Sequence, residues 1–266
     1  MLTVTSLQLN AWLAAFVWPF FRILAIIATE PLLGNRSIPL RLKIGLAALI
    51  TVIVAPTLGA MPSVNPGSAA GILILVQQVV IGTAIGFSMR IMYTAMEMAG
   101  HLIGLQMGLG FATFFDPQNS AQVPVVAQFL GLLTVLVFLS LDGHLMVVMA
   151  LVNSFHILPV GMQLLSSNGW FQLVQWGSEV FRIGVLLSLP VMAALLITNM
   201  SIGIMTRAAP QLNIFAVGFP ITLGIGFAIF FLSLPFMLPH LERMLSTGIQ
   251  MMMQIAHLAR APAPVP

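Results

Sequence analysis

Five residues between positions 90 and 101 have the types and spacing to do chemistry: Arg90, Tyr93, Thr94, Glu97 and His101. They recur at intervals of three, four and seven. On a helix turning about 100° per residue they share one face. Inside a membrane such groups are costly and mark a functional site by default. One chemistry they offer is a proton or ion relay. The other is structural: Arg90 pairs with Glu97 and Glu97 with His101, and the buried polar cluster orients neighbouring helices. The set is a single local cluster, which favours the structural reading. Glu97 and His101 supply two metal ligands, too few for a site, and no other acid–histidine cluster exists in the sequence. Arg22 and Glu30, two turns apart, read as a further pair. Asp142-Gly143-His144 reads as a helix-terminating turn and not a dyad. The chain has no cysteine, which excludes thiol nucleophiles, disulfides and Cys-ligated metals. There is no nucleophile elbow, phosphate loop or carboxylate pair, so neither an enzyme nor a cofactor is expected.

These residues sit in a very apolar chain. Of 266 residues 59% are hydrophobic and 6% charged, with a mean hydropathy of +1.08. A soluble domain carries about 25% charged residues. So few charges cannot cover a water-facing surface, and the chain reads as an integral membrane protein or a subunit buried in a larger assembly. The net charge is +3, and the nine Lys/Arg are scattered. No basic patch of the kind nucleic acid needs is present. The first basic residue is Arg22, so no cleaved signal peptide is expected and the first apolar segment reads as retained structure.

A spanning helix needs roughly 20 apolar residues. Six regions qualify: Leu7–Leu33, Leu42–Leu58, Ala69–Met89 with a helical continuation to Gly110, Val125–Leu141 followed by His144–Leu158, Val180–Met205 and Ile214–Leu238. MPSVNPGS at 61–68 and SSNG at 166–169 read as loops. Pro19, Pro190, Pro220 and Pro235 invite kinks. Gly82/Gly86 and Gly100/Gly104/Gly108 recur at intervals of four, a spacing that lets helices approach closely. Conventional counting places the basic loops at Arg36/Arg41/Lys43, Arg90 and Arg207 in the cytoplasm; Arg243 and Arg260 in the tail argue against it. The fold class is all-α and polytopic.

Two loops are unusual. GLQMGLGFATFFDPQNSAQVP at 104–124 combines three glycines, three phenylalanines and Asp116-Pro117 between long apolar stretches. Such irregular backbone must be buried in protein or line an aqueous path. From the residues alone it is an ordinary loop with packed or interfacial aromatics; the sharper reading is a plug or gasket. TRAAPQLN at 206–213 joins two apolar segments and carries Arg207, Pro210, Gln211 and Asn213. It reads as a tight helix–helix turn capped by Asn213, or as a polar constriction or docking point at a hairpin tip. After Pro239, Leu241, Met244, Leu245, Ile249, Met252, Ile255 and Ala259 fall at helical spacing opposite Glu242, Arg243, Ser246, Gln250, Gln254 and His257. That is an amphipathic helix over 240–259. Arg260 and APAPVP then read as a disordered tail over 260–266.

Three long stretches resemble one family: PFFRILAIIATEPLLGNRSIPLRLKIGLA (19–47), FFDPQNSAQVPVVAQF (114–129) and RAAPQLNIFAVGFPITLGIG (207–226). They are similar to the FliR/SctT family of type III export proteins, closer to the flagellar branch. The resemblance implies an export-gate subunit that assembles with FliP and FliQ in the bacterial inner membrane at the flagellar basal body. It implies a fold of kinked helical hairpins, with a FliP-like part over 1–177 and a FliQ-like hairpin over 178–239. It further implies FlhB at the cytoplasmic side, unfolded flagellar subunits as export substrates, and lipid around the assembly. Carried over by position, the pore plug falls on Gln106, Met107, Gly108, Gly110, Phe111, Phe114, Phe115 and Asp116, with Gly108 and Gly110 as hinge. The 206–213 loop becomes the tip of the FliQ-like hairpin. The competing reading is a secondary transporter with 104–124 as a broken-helix site and Arg90/Glu97/His101 as its coupling relay.

Overall fold

The computed structural model describes residues 5–59, 61–62, 64–111, 124–161, 167–209 and 214–258. The described residues form helices and connections, with no strand. The α-helices are α1 (Ser6–Thr29), α2 (Leu40–Val54), α3 (Ala69–Gln106), α4 (Val125–Ser140), α5 (Gly143–Ile157), α6 (Ser167–Gly177), α7 (Glu179–Ala208) and α8 (Ile214–Leu258). Helix α1 starts at a capping box. Thr5 Oγ1 accepts from the Gln8 N–H, and Gln8 Oε1 accepts from the Thr5 N–H. Helix α4 ends where Asp142 adopts a left-handed φ of 54°, as the Asp-Gly turn predicts.

The helices group into two compact units. In the first, which holds 1–91, 142–177 and 245–266, α3 lies directly on α1. A Cβ at Gly82 would come within 2.5 Å of the Arg22 carbonyl oxygen, and one at Gly86 within 2.8 Å of that of Ile26. Both glycines are small because the α1 backbone occupies that space. Trp18, Ile23, Ile26, Ile74 and Ile85 fill the core. Trp176 Nε1 donates to the Ser88 carbonyl at 3.0 Å and fastens α6 to α3.

In the second unit, 92–141 and 178–244, α3 meets α4 where a Cβ at Gly100 would collide with the Ala127 backbone. Tyr93 meets Phe138 edge-on at 5.9 Å, and Phe129 of α4 meets Phe230 of α8 in the same way. Helices α7 and α8 run antiparallel: Leu195 lies beside Gly226, and Asn199 Oδ1 accepts from Thr222 at 3.4 Å. The glycines do not act alike, since Gly104 has only loose neighbours and Gly108 serves a turn.

Five helical stretches are long and apolar enough to cross a membrane, and α4 and α5 qualify only when taken together. The protein is therefore polytopic and all-α. Two boundaries differ from the sequence reading. Ser167, Asn168 and Gly169 open α6 instead of forming a loop; Ser and Asn suit a helix's first turn because their short polar side chains serve its free N–H groups. Helix α8 passes Pro239 without interruption, so the amphipathic segment continues the last long helix. Its stripe is as predicted where it is described: Leu241, Met244, Leu245, Ile249, Met252 and Ile255 are buried, and Glu242, Arg243, Gln250 and Gln254 are exposed. Pro19, Pro190, Pro220 and Pro235 likewise lie inside continuous helices.

Candidate functional site

The stretch singled out for a plug begins where α3 ends. The Met107 N–H reaches the Ile103 carbonyl at 2.9 Å and the Gly108 N–H the Leu105 carbonyl at 3.0 Å. Gly108 has φ 81°, the left-handed conformation that closes helices and that glycine adopts without a Cβ penalty. A short 3₁₀ turn, Leu109–Phe111, follows. Met107 is fully buried, and a Cβ at Gly226 would stand 2.7 Å from its Cγ. Met107 thus anchors the stretch on α8 while Gly108 turns the chain away. Gln106 and Gly110 are half-buried. Phe114, Phe115 and Asp116 lie outside the described residues, as do Pro210, Gln211 and Asn213 of the hairpin-tip loop. Arg207 is exposed in the last turn of α7, where a cation complements the helix dipole.

The polar set on α3 differs from expectation. Arg90, Glu97 and His101 are exposed within the chain, and no ion pair joins any of them. Glu97 lies along α4, its Oε1 3.8 Å from where a Cβ of Gly131 would stand. Tyr93 is buried against Phe138. The shared face was legible from spacing. Burial was not, because the neighbouring helices cover only its Tyr93 edge. Among the described residues no group of three potential metal ligands comes together.

The Arg22–Glu30 pair does not form either, and the partners Arg22 takes were missed. Arg22 is completely buried. Its Nε donates to Gln78 Oε1 at 2.8 Å, and its Nη1 donates to the carbonyls of Ser154 and Leu158 at 3.0 and 2.9 Å. Its guanidinium carbon lies 4.3 Å from the centroid of Phe155. One planar fork thus ties α1 to α3 and to the C-terminal end of α5, where the helix dipole favours a cation. Arg22 Nη2, Gln78 Nε2 and Trp18 Nε1 have no hydrogen-bond partner among the described residues. Glu30 Oε2 instead accepts from the Leu33 N–H at 2.7 Å. Burial pushes the Glu30 carboxyl above its usual range, against hydrogen bonds from the Leu33 and Leu32 N–H groups. The signal that finds this node is an arginine inside an apolar span together with Gln77-Gln78 inside another.

The family model "Bacterial export proteins, family 1" matches residues 13–248. The chain belongs to this family. It is 44% identical over 246 residues to "Flagellar biosynthetic protein FliR" of Escherichia coli (strain K12), covering 92% of this chain and 94% of that protein. It is also 44% identical to the protein of that name from Pectobacterium carotovorum subsp. carotovorum, covering 96% and 97%. The Bacillus subtilis (strain 168) protein of that name is 31% identical, covering 80% and 83%. The resemblance read from 19–47, 114–129 and 207–226 is borne out by this match.

Proposed function

We propose that the chain is a structural, pore-forming subunit of the flagellar type III export gate, without catalysis of its own. The observation that carries this reading is the family match over nearly the whole chain, with 44% identity to two proteins named FliR. The subunit assembles with FliP and FliQ counterparts in the bacterial inner membrane and meets an FlhB counterpart at the cytoplasmic side. Unfolded flagellar subunits pass through the assembled pore. Residues 1–177 act as the FliP-like part, 178–239 as the FliQ-like hairpin. The antiparallel run of α7 and α8 supports the hairpin.

In this reading the stretch from Gln106 to Asp116 closes the pore. Met107 holds its root, Gly108 and Gly110 supply the hinge, and Phe111, Phe114 and Phe115 seal against ions yet yield to an unfolded chain. Arg90, Glu97 and His101, exposed within the chain, meet partner subunits. The transporter reading is not favoured, since its coupling residues do not form a buried relay in the chain.

Deleting the chain's gene in its own host tests the assignment. The expected result is loss of flagella and of secreted flagellar subunits, restored by the intact gene. Normal flagella in the deletion strain contradict it.

A further inference from the structure

From position 31 to position 96 the chain carries Arg36, Arg41, Lys43 and Arg90 and no acid. Three of these cations flank the start of α2. There, α1, the connection and α2 form a cavity of about 380 Å³. Its walls include Ile27, Leu33, Leu42 and Leu46, with Arg41 and Lys43 among the lining residues. Pockets that take small ligands span roughly 300–1,000 Å³. Lys43 Nζ donates to the Gly34 carbonyl at 2.8 Å, which fixes its position without neutralising it. Arg36 and Arg41 are exposed, and no acid pairs with any of the three. From the cavity's Leu49, the exposed apolar surface continues through Val52 and Ile53 along α2, a helix long and apolar enough to cross a membrane.

An apolar cavity with cations at one end complements one chemistry; the neighbouring acid, Glu30, is buried and held by the Leu33 N–H. We infer that this cavity binds an anionic phospholipid. One acyl chain enters between Ile27, Leu33 and Leu46, and the phosphate lies against Arg41 and Lys43, with Arg36 close in sequence. Each basic group near an anionic headgroup favours binding by about 1 kcal/mol, roughly fivefold, and a zwitterionic headgroup forgoes this gain. The site rests on the charge pattern and the cavity, not on the export-gate assignment, so either fails without the other.

The test uses the full-length chain in neutral detergent. It is titrated separately with dioleoylphosphatidylglycerol and dioleoylphosphatidylcholine, and lipid adducts are counted by native mass spectrometry. The expected result is one phosphatidylglycerol per chain, retained about 25-fold better than phosphatidylcholine, about fivefold for each of Arg41 and Lys43. Arg36→Gln with Arg41→Gln leaves Lys43 alone and cuts the preference to about fivefold. Gly45 lines the cavity, and a Cβ there meets no atom within 4 Å. Gly45→Leu therefore starts from an open Cβ and puts apolar bulk at the cavity wall; it is expected to remove the adduct while leaving thermal unfolding unchanged. Equal retention of both lipids by the unsubstituted chain overturns the site. So does an adduct that survives Gly45→Leu, since the lipid then sits elsewhere on the chain.

Discussion

Arg22 lies within an apolar helix and pairs with no carboxylate, yet it holds three helices through Gln78 and the Ser154 and Leu158 carbonyls. A hydrogen bond to a charged group contributes about 1.5–3 kcal/mol, and a buried donor left without its partner costs about as much again. Gln78→Leu is therefore expected to cost about 2 kcal/mol in detergent thermal unfolding. Arg22→Met should cost more, since it frees three acceptors together. The double variant should cost less than the two combined, because the leucine removes the acceptor that the methionine strands. Additive costs would mean that the two side chains do not act as one unit. Arg22 was conspicuous in the sequence, but its partners stand 56 and more than 130 positions away. Spacing along one helix could offer only Glu30. The same limit applies to Arg90, Glu97 and His101: helical periodicity gave their common face, and only packing decides what covers it.

Gly108 also belongs to this scale. Its φ of 81° would cost an alanine about 1–2 kcal/mol. Gly108→Ala should lower the unfolding temperature of the purified chain, whereas Gly45→Ala, at an ordinary helical position, should not. Equal effects would remove the turn from the account.

Among the elements, the long helices were the most legible, because each is a sustained apolar run. Helix α3 has 38 residues and α8 has 45. At about 1.5 Å per residue they reach roughly 57 and 68 Å, well beyond a hydrocarbon core of about 30 Å. Helix α6 was missed because its first residues, Ser167 to Gly169, have loop chemistry, while Pro239 looked like a boundary that α8 ignores. The C-terminal stripe was read correctly because period and polarity agree there. Met252→Asp, at a fully buried position, should destabilise the chain by several kcal/mol, since the carboxylate loses its water. Gln250→Asp, on the exposed face, should stay within about 0.5 kcal/mol. Detergent unfolding of both variants measures the difference, and similar costs would put the stripe on the wrong face.

At the scale of the molecule, many large apolar side chains point away from the chain: Leu132 and Leu136 on α4, Ile197 and Met200 on α7, Phe231 and Phe236 on α8. Phe236 is 76% exposed. Such faces need lipid or partner subunits to cover them. Under the export-gate reading, partner subunits cover a large share and the stretch that follows α3 closes the pore. Deleting 110–118 should then leave the assembly intact but make the inner membrane leak ions, measured as conductance; unchanged conductance would contradict the plug. Composition made a membrane protein or a buried subunit legible, whereas the identity of the covering surface was not, because lipid and a neighbouring helix present the same chemistry to leucine. The most direct measurement is the mass of the detergent-purified complex when this chain is co-expressed with its FliP and FliQ counterparts. The account predicts a single large hetero-oligomer containing all three. A lone chain or a homodimer would contradict it.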